Sequence, residues 1–126
     1  MNRPYVLVVD DQPLNLELAR LVLEDAGFEV ETAPDGEAAR QCIAGRRPDL
    51  VLMDIQMPGV DGLTLTVELK AQPPTADLVI VAFTAYAVAG DEQRFLDAGF
   101  DGYLSKPIDV PTFAGQVRAM LPAAAG

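Results

Sequence analysis

The chain of 126 residues has no histidine, no tryptophan and a single cysteine, Cys42. Without histidine it cannot run Ser-His-Asp or Cys-His catalysis, build the HExxH metal motif, or relay a phosphoryl group through an imidazole of its own. One cysteine makes no internal disulfide. Cys42 falls in an alanine-rich helical stretch and reads as a packing residue. Cations are scarce: nine Lys and Arg stand against nineteen Asp and Glu, a formal charge of −10. That sign repels a phosphate backbone and argues against direct nucleic-acid binding. No GxGxxG follows the first apolar run and no GxxxxGK[ST] occurs, so phosphate-cradling loops are absent. No apolar run approaches the roughly 20 residues of a membrane span, and no basic-then-apolar leader opens the chain. The expectation is a cytoplasmic protein with no membrane partner. The chemistry left to it rests on carboxylates, lysine, hydroxyls or a hard cation.

Half of the residues are apolar, enough for one globular domain with one core. The segment at the centre is Asp49-Leu50-Val51-Leu52-Met53-Asp54-Ile55-Gln56-Met57-Pro58-Gly59. Leu50 to Met53 is a continuous apolar run between turn signals, which reads as a strand buried on both faces of a parallel sheet. Asp54 then stands at the C-terminal end of that strand, outside which ligands bind in open α/β sheets. From this segment alone Asp54 reads equally as a turn or capping residue.

Tyr5 to Val9 is a second buried run, ending in Asp10-Asp11, and Pro13 opens a helix that Gly27 stops. On a period of about 3.6 residues, Glu17, Arg20 and Glu24 mark its polar face and Leu18, Ala19, Val22 and Ala26 its core face. Leu14 and Leu21 lie on the border. Either neighbouring loops cover them or they dock a partner helix. Phe28 to Ala33 reads as a short strand, and Asp35 as the cap of a helix running to about Ala44. Asp61-Gly62 opens a further helix, and Leu78 to Phe83 is the third strongly apolar strand, ending at Thr84. Gly90-Asp91 starts a helix that Gly99 stops. Tyr103 to Ser105 is a short strand ending at Lys106-Pro107, and Asp109 is placed to cap the last helix, from about Val110. Residues 1–121 form one domain and 122–126 a short alanine-rich tail. The order is βα five times over, which predicts a doubly wound, flavodoxin-like five-stranded parallel sheet in the order 2-1-3-4-5.

In that architecture four strand ends meet at one edge: Asp10 and Asp11, Asp54, Thr84 and Lys106. The loops at the opposite edge show no such set. Three carboxylates held together repel one another, and a divalent cation resolves the repulsion. Oxygen ligands favour Mg²⁺ or Mn²⁺. Asp11 and Asp54 would bind it directly and Asp10 through water. Asp54 could then attack an electrophilic phosphorus, with Lys106 and Thr84 on the phosphoryl oxygens. Lys106 also reads as a salt bridge to the aspartates in the unphosphorylated state.

The pieces Val9-Asp10-Asp11, Leu52 to Gly62, Phe83-Thr84-Ala85 and Tyr103-Leu104-Ser105-Lys106-Pro107 resemble, in order and spacing, the receiver domain of two-component response regulators. The resemblance spans about Pro4 to Leu121. Its finer pattern, Asp54-Ile55-Gln56-Met57-Pro58 and Thr84-Ala85-Tyr86-Ala87, is similar to single-domain receivers of the DivK type and to receivers of hybrid histidine kinases. The strand order above is the family's own, so the two expectations are not independent. The resemblance implies that Asp54 accepts a phosphoryl group from a phosphohistidine of a sensor histidine kinase or histidine phosphotransfer protein. It implies Asp10, Asp11 and the Gln56 backbone carbonyl at the Mg²⁺, Thr84 and Tyr103 as the switch pair, and Lys106 on the phosphoryl group. Lys106-Pro107 would be a cis peptide. Gln56 and Tyr86 are tuning positions, Tyr86 being large enough to shield the phosphoryl group from water. The face built from the fourth helix, fifth strand and fifth helix would carry the signal to a downstream protein, in some members as a phosphorylation-linked dimer.

Such a protein is no enzyme toward a diffusible substrate; it catalyses only its own phosphoryl transfer and dephosphorylation. An aspartate-nucleophile phosphatase of the haloacid-dehalogenase kind needs a second acid two residues after the nucleophile, where Gln56 stands, and a cap domain. A constitutive interaction module would leave the four strand-end residues unexplained. The sequence fits both a receiver that acts alone and a receiver from a longer protein.

Overall fold

The computed structural model describes residues 3–55, 62–84, 91–106 and 108–121. Five strands alternate with five helices: β1 (Tyr5–Val9), α1 (Pro13–Asp25), β2 (Glu29–Ala33), α2 (Gly36–Gly45), β3 (Leu50–Asp54), α3 (Gly62–Lys70), β4 (Val79–Thr84), α4 (Asp91–Ala98), β5 (Gly102–Ser105) and α5 (Val110–Ala119). A single 3₁₀ turn, Pro73–Thr75, links α3 to β4. The strands form one sheet in the order β2-β1-β3-β4-β5, and every pair is parallel. This is the flavodoxin-like order expected from the sequence. Gly27 and Gly99 end α1 and α4 with φ of 95° and 106°, the left-handed region in which glycine carries no side-chain penalty.

The three central strands are apolar in both registers because helices cover both sheet faces. Leu7, Val9, Val51, Met53, Ile80 and Ala82 point to one side and pack on Ala39 and Ile43 of α2, Leu65 and Leu69 of α3 and Phe95 of α4. Val6, Val8, Leu50, Leu52, Val81 and Phe83 point to the other and pack on Ala19 and Leu23 of α1 and Phe113 and Val117 of α5. Cys42 is half-buried against the first cluster, and burial pushes its thiol pKa up.

Two local expectations are corrected. The core face of α1 runs through Leu16, Ala19, Val22, Leu23 and Ala26, while Leu18 is 37% exposed. Leu18 lies roughly 100° around the helix from Ala19, on the same side as Leu14 and Leu21. The Asp109 side chain does not cap α5: its carboxylate accepts from the Thr112 hydroxyl instead. The Asp109 backbone carbonyl takes the Thr112 and Phe113 N–H groups at 3.0 and 2.9 Å. Asp35 does cap α2, accepting the Ala38 N–H at 2.8 Å.

Candidate functional site

Because all five strands are parallel, their C-terminal ends share one edge of the sheet. Asp10 follows β1 directly, Asp54 is the last residue of β3, Thr84 the last of β4, and Lys106 follows β5. The ladder brings Asp54 beside Phe83 and Thr84 beside Ser105. Asp10, Asp54 and Thr84 are buried, at 0%, 4% and 2% exposure, and Asp11 is half-buried at the rim. One carboxylate oxygen from each of Asp10, Asp11 and Asp54 lies within 4.8 Å of the others.

Lys106 reaches into this group. Its Nζ lies 2.7 Å from Asp10 Oδ2 and 3.4 Å from Asp54 Oδ2, and 5.2 Å from the centre of the Phe83 ring. Its backbone N–H donates to the Thr84 carbonyl at 2.8 Å, which ties the end of β5 to that of β4. Asp10 is held on both sides: the Gln12 N–H donates to Oδ1 at 2.8 Å, and Asn15 Nδ2 approaches Oδ2 at 3.4 Å. A buried carboxylate persists as a charge only when it is so paired.

Three carboxylates against one ammonium leave the cluster with excess negative charge. An all-oxygen donor set of this kind suits a hard divalent cation. The donors therefore fit Mg²⁺ or Mn²⁺.

Tyr103 is half-buried on β5 and packs toward α4, its ring 6.1 Å from that of Phe95. It pairs with Ala82, so it emerges on the sheet face shared by Ala82 and, two residues on, Thr84. Leu14 and Leu21 are 84% and 57% exposed, and no neighbouring loop covers them among the described residues. With Leu18 they form one apolar stripe along α1. It borders a groove of about 450 Å³ against Val110 and Ala114 of α5. Gln56, Tyr86 and Pro107, and with them the carbonyl ligand, the shield and the cis peptide, lie outside the described residues.

Two approaches within the site went unread in the sequence, that of Asn15 to Asp10 and that of Gly62, read only as a helix start, to Asp54. Asn15 lies in the first turn of α1, five residues beyond Asp10, a spacing that signals an approach only once α1 is known to start at the site. Gly62 sits where an added Cβ would lie 2.2 Å from the Asp54 carbonyl oxygen, so α3 can start against β3 only with glycine there.

Five parallel strands with an acidic cluster and a lysine at their C-terminal ends define a flavodoxin-like α/β domain. Residues 6–118 match the response regulator receiver domain, and the chain belongs to that family. It is 40% identical over 116 residues to the polar-differentiation response regulator DivK of Brucella anthropi, covering 92% of this chain and 94% of that protein. DivK of Brucella ovis is 39% identical over the same length. Among solved structures it resembles the chemotaxis protein CheY4 of Vibrio cholerae, with a TM-score of 0.89 at 28% identity over 95% of this chain and 100% of that one. It also resembles the receiver domain of a sensor histidine kinase of Pseudomonas aeruginosa PAO1, with a TM-score of 0.83 at 31% identity over 94% and 98%. That structure carries a magnesium ion coordinated in its active-site cleft.

Proposed function

We propose that this chain is a phosphorylation-controlled binding module in which Asp54 accepts a phosphoryl group from a phosphohistidine of a sensor histidine kinase or histidine phosphotransfer protein. The observation that carries the reading is the Lys106 ammonium set between the buried carboxylates of Asp10 and Asp54 at the strand ends. An Asp54 oxygen attacks phosphorus and forms a P–O bond while the donor's P–N bond breaks. The imidazole leaves with the electron pair and takes up a proton. Lys106 follows the charge to the phosphoryl oxygens, and the Thr84 hydroxyl donates to them. Thr84 and Tyr103, on one sheet face, form the switch, Tyr103 turning inward as Thr84 is drawn to the phosphoryl group.

A bound Mg²⁺ or Mn²⁺ would neutralise charge at the site and on the incoming phosphoryl group. Asp11 and Asp54 would hold it directly. Asp10, both of whose oxygens are already engaged, would act through water. The Gln56 carbonyl would complete the set, and Tyr86 would slow hydrolysis by shielding the phosphoryl group. The exposed stripe of Leu14, Leu18 and Leu21 docks the phosphodonor. The output is a change of affinity for a downstream protein, with no diffusible substrate. No helix among the described residues is long and apolar enough to cross a membrane, and we place the module in the cytoplasm with its kinase.

The test is incubation with acetyl phosphate, with and without Mg²⁺, followed by intact mass, with Asp54→Asn in parallel. One added phosphoryl group that requires both Mg²⁺ and Asp54 is expected. A folded wild-type protein that neither gains mass nor binds beryllium fluoride would instead be a constitutive interaction module.

A further inference from the structure

Asp10 has no solvent exposure, and both of its oxygens are engaged. Oδ1 accepts from the Gln12 N–H at 2.8 Å. Oδ2 has two unequal donors: the Lys106 ammonium at 2.7 Å, and the Asn15 side-chain amide at 3.4 Å. The first contact is short and charge-assisted, and the second lies at the outer limit of a hydrogen bond. Among the described residues Oδ2 has no third donor. The same ammonium is 3.4 Å from Asp54 Oδ2, so it is poised between two carboxylates and rests on Asp10.

Building on the reading of Asp54 as acceptor, we propose that Asn15 is a positioning residue that takes over Asp10 Oδ2 when Lys106 turns to the phosphoryl group. When Lys106 leaves, Oδ2 loses its one charged donor. Asp10 is wholly enclosed, so beyond the water that would link it to the cation, Oδ2 can turn only to a neighbouring side chain. An ionised oxygen left unpaired in such a place carries a large desolvation penalty. Asn15 is already in place: it lies in the first turn of α1, its own N–H bonded to the Gln12 carbonyl at 3.0 Å. Its amide has only to close from 3.4 Å to the usual ~2.9 Å. A neutral amide suits the task. Lysine or arginine there would compete for the phosphoryl charge, and aspartate would repel Asp10. Asp10 thus keeps its position while Lys106 moves.

The experiment titrates the protein with beryllium fluoride and Mg²⁺, a phosphoryl mimic. It follows the Asn15 side-chain amide by NMR, identified by its absence in Asn15→Leu. One Asn15 amide proton should shift downfield with the titration. Asn15→Leu should bind the mimic about tenfold more weakly, the usual worth of a hydrogen bond to a charged group. The free variant should be as stable as wild type, since Lys106 still holds Oδ2. Asn15→Gln, which keeps the amide on a longer stem, should recover part of the affinity. Asn15→Ala carries the same comparison should the leucine variant fail to fold. A merely structural role would lower the stability of the free variant and leave the amide unmoved. The proposal is overturned if resonances around Asp54 shift while the Asn15 amide does not, or if Asn15→Leu binds within twofold of wild type. If nothing around Asp54 shifts in wild type, the acceptor reading fails and the hand-over falls with it.

Discussion

Gly62, the first residue of α3, stands directly against the backbone of Asp54, the last residue of β3. A Cβ built on Gly62 would lie 2.2 Å from the Asp54 carbonyl oxygen, 2.9 Å from its carbonyl carbon and 2.9 Å from Ile55 Cα. All three are backbone atoms and cannot swing aside. The Gly62 N–H also donates to the Ile55 carbonyl at 3.3 Å, which ties the start of α3 to the residue after β3. Gly62→Ala should therefore push α3 away from β3. The expected cost is roughly 3 kcal/mol, against a gain of at most about 1 kcal/mol from helix propensity. Urea unfolding measures it. A variant within about 0.5 kcal/mol of wild type would mean that the backbone relaxes freely.

Lys106 is the counter-ion of a site that holds excess acid. Lys106→Met removes the ammonium from between carboxylates whose side chains are 0% and 6% exposed. Removing one partner of a buried pair costs roughly 3 kcal/mol, which is about 10 °C in midpoint for a domain of this size. A divalent cation supplies the missing charge. Millimolar Mg²⁺ should therefore raise the midpoint of Lys106→Met by more than it raises that of wild type, where the cation competes with Lys106. Thermal melts with Mg²⁺ and with chelator make the comparison. Equal shifts in the two proteins would mean that the ammonium and the cation occupy separate places.

How much of this could be read beforehand depended on whether the signal was local. The strands were legible because Tyr5–Val9, Leu50–Met53 and Leu78–Phe83 are apolar in both registers, a pattern that only a sheet covered on both faces accepts. Asp10, Asp54 and Thr84 were legible because each directly follows such a run, and Lys106 because it follows the short Tyr103–Ser105 strand, so a parallel topology gathers them without further information. Leu18 was misread because α1 carries leucines around much of its circumference, and periodicity alone does not say which stripe meets the sheet. Asp109 was misread because Thr112, three residues on, offers its carboxylate a hydroxyl in competition with the backbone. Asn15 and Gly62 act through approaches between separate elements, which no local spacing records.

Two arginine clamps far from the strand ends give the fold an acid-sensitive component. Arg46 binds Glu29 through both terminal nitrogens at 2.6 and 2.8 Å, and Arg47 binds Asp77 at 2.7 Å. Hydrogen bonding from the arginine is the main cause in each case, and it holds both carboxyls below their usual range. A carboxylate depressed on folding stabilises the native state above its unfolded pKa, and that contribution fades as pH falls through the folded value. Glu29→Gln and Asp77→Asn should thus lower stability at pH 7, and their unfolding curves should converge with wild type below about pH 4. Both pairs are at the surface, so the difference at pH 7 should shrink in high salt. Denaturant unfolding at pH 7 and pH 3 tests it, and a gap that persists at pH 3 would assign the effect to packing.

The stripe on α1 separates recognition from chemistry. Leu14 is 84% exposed and holds nothing in the core, so Leu14→Glu should fold as wild type does. If the stripe docks the phosphodonor, the variant should take phosphate more slowly from a histidine kinase or phosphotransfer protein, by about tenfold for a lost apolar anchor. Its reaction with acetyl phosphate, which needs no docking surface, should be unchanged. Single-turnover transfer from a phosphorylated donor, run beside the acetyl phosphate reaction, measures both. An equal loss in both would assign the defect to the site or the fold.

Thr66 offers a correction to the core itself. It is fully buried on α3, and its hydroxyl has no hydrogen-bond partner among the described residues. A buried hydroxyl without a partner pays its desolvation and gains nothing in return. Valine has nearly the same shape, and the two residues differ little in helix propensity. Thr66→Val should therefore stabilise the domain by about 1 kcal/mol. Thr66→Ser, which keeps the hydroxyl and deletes the methyl, should destabilise it by about as much. Urea midpoints of the three proteins give the order valine, threonine, serine. The reverse placement of valine and threonine would show that the hydroxyl is bonded in solution, by an enclosed water or by an acceptor from outside the described residues, and that α3 depends on that bond.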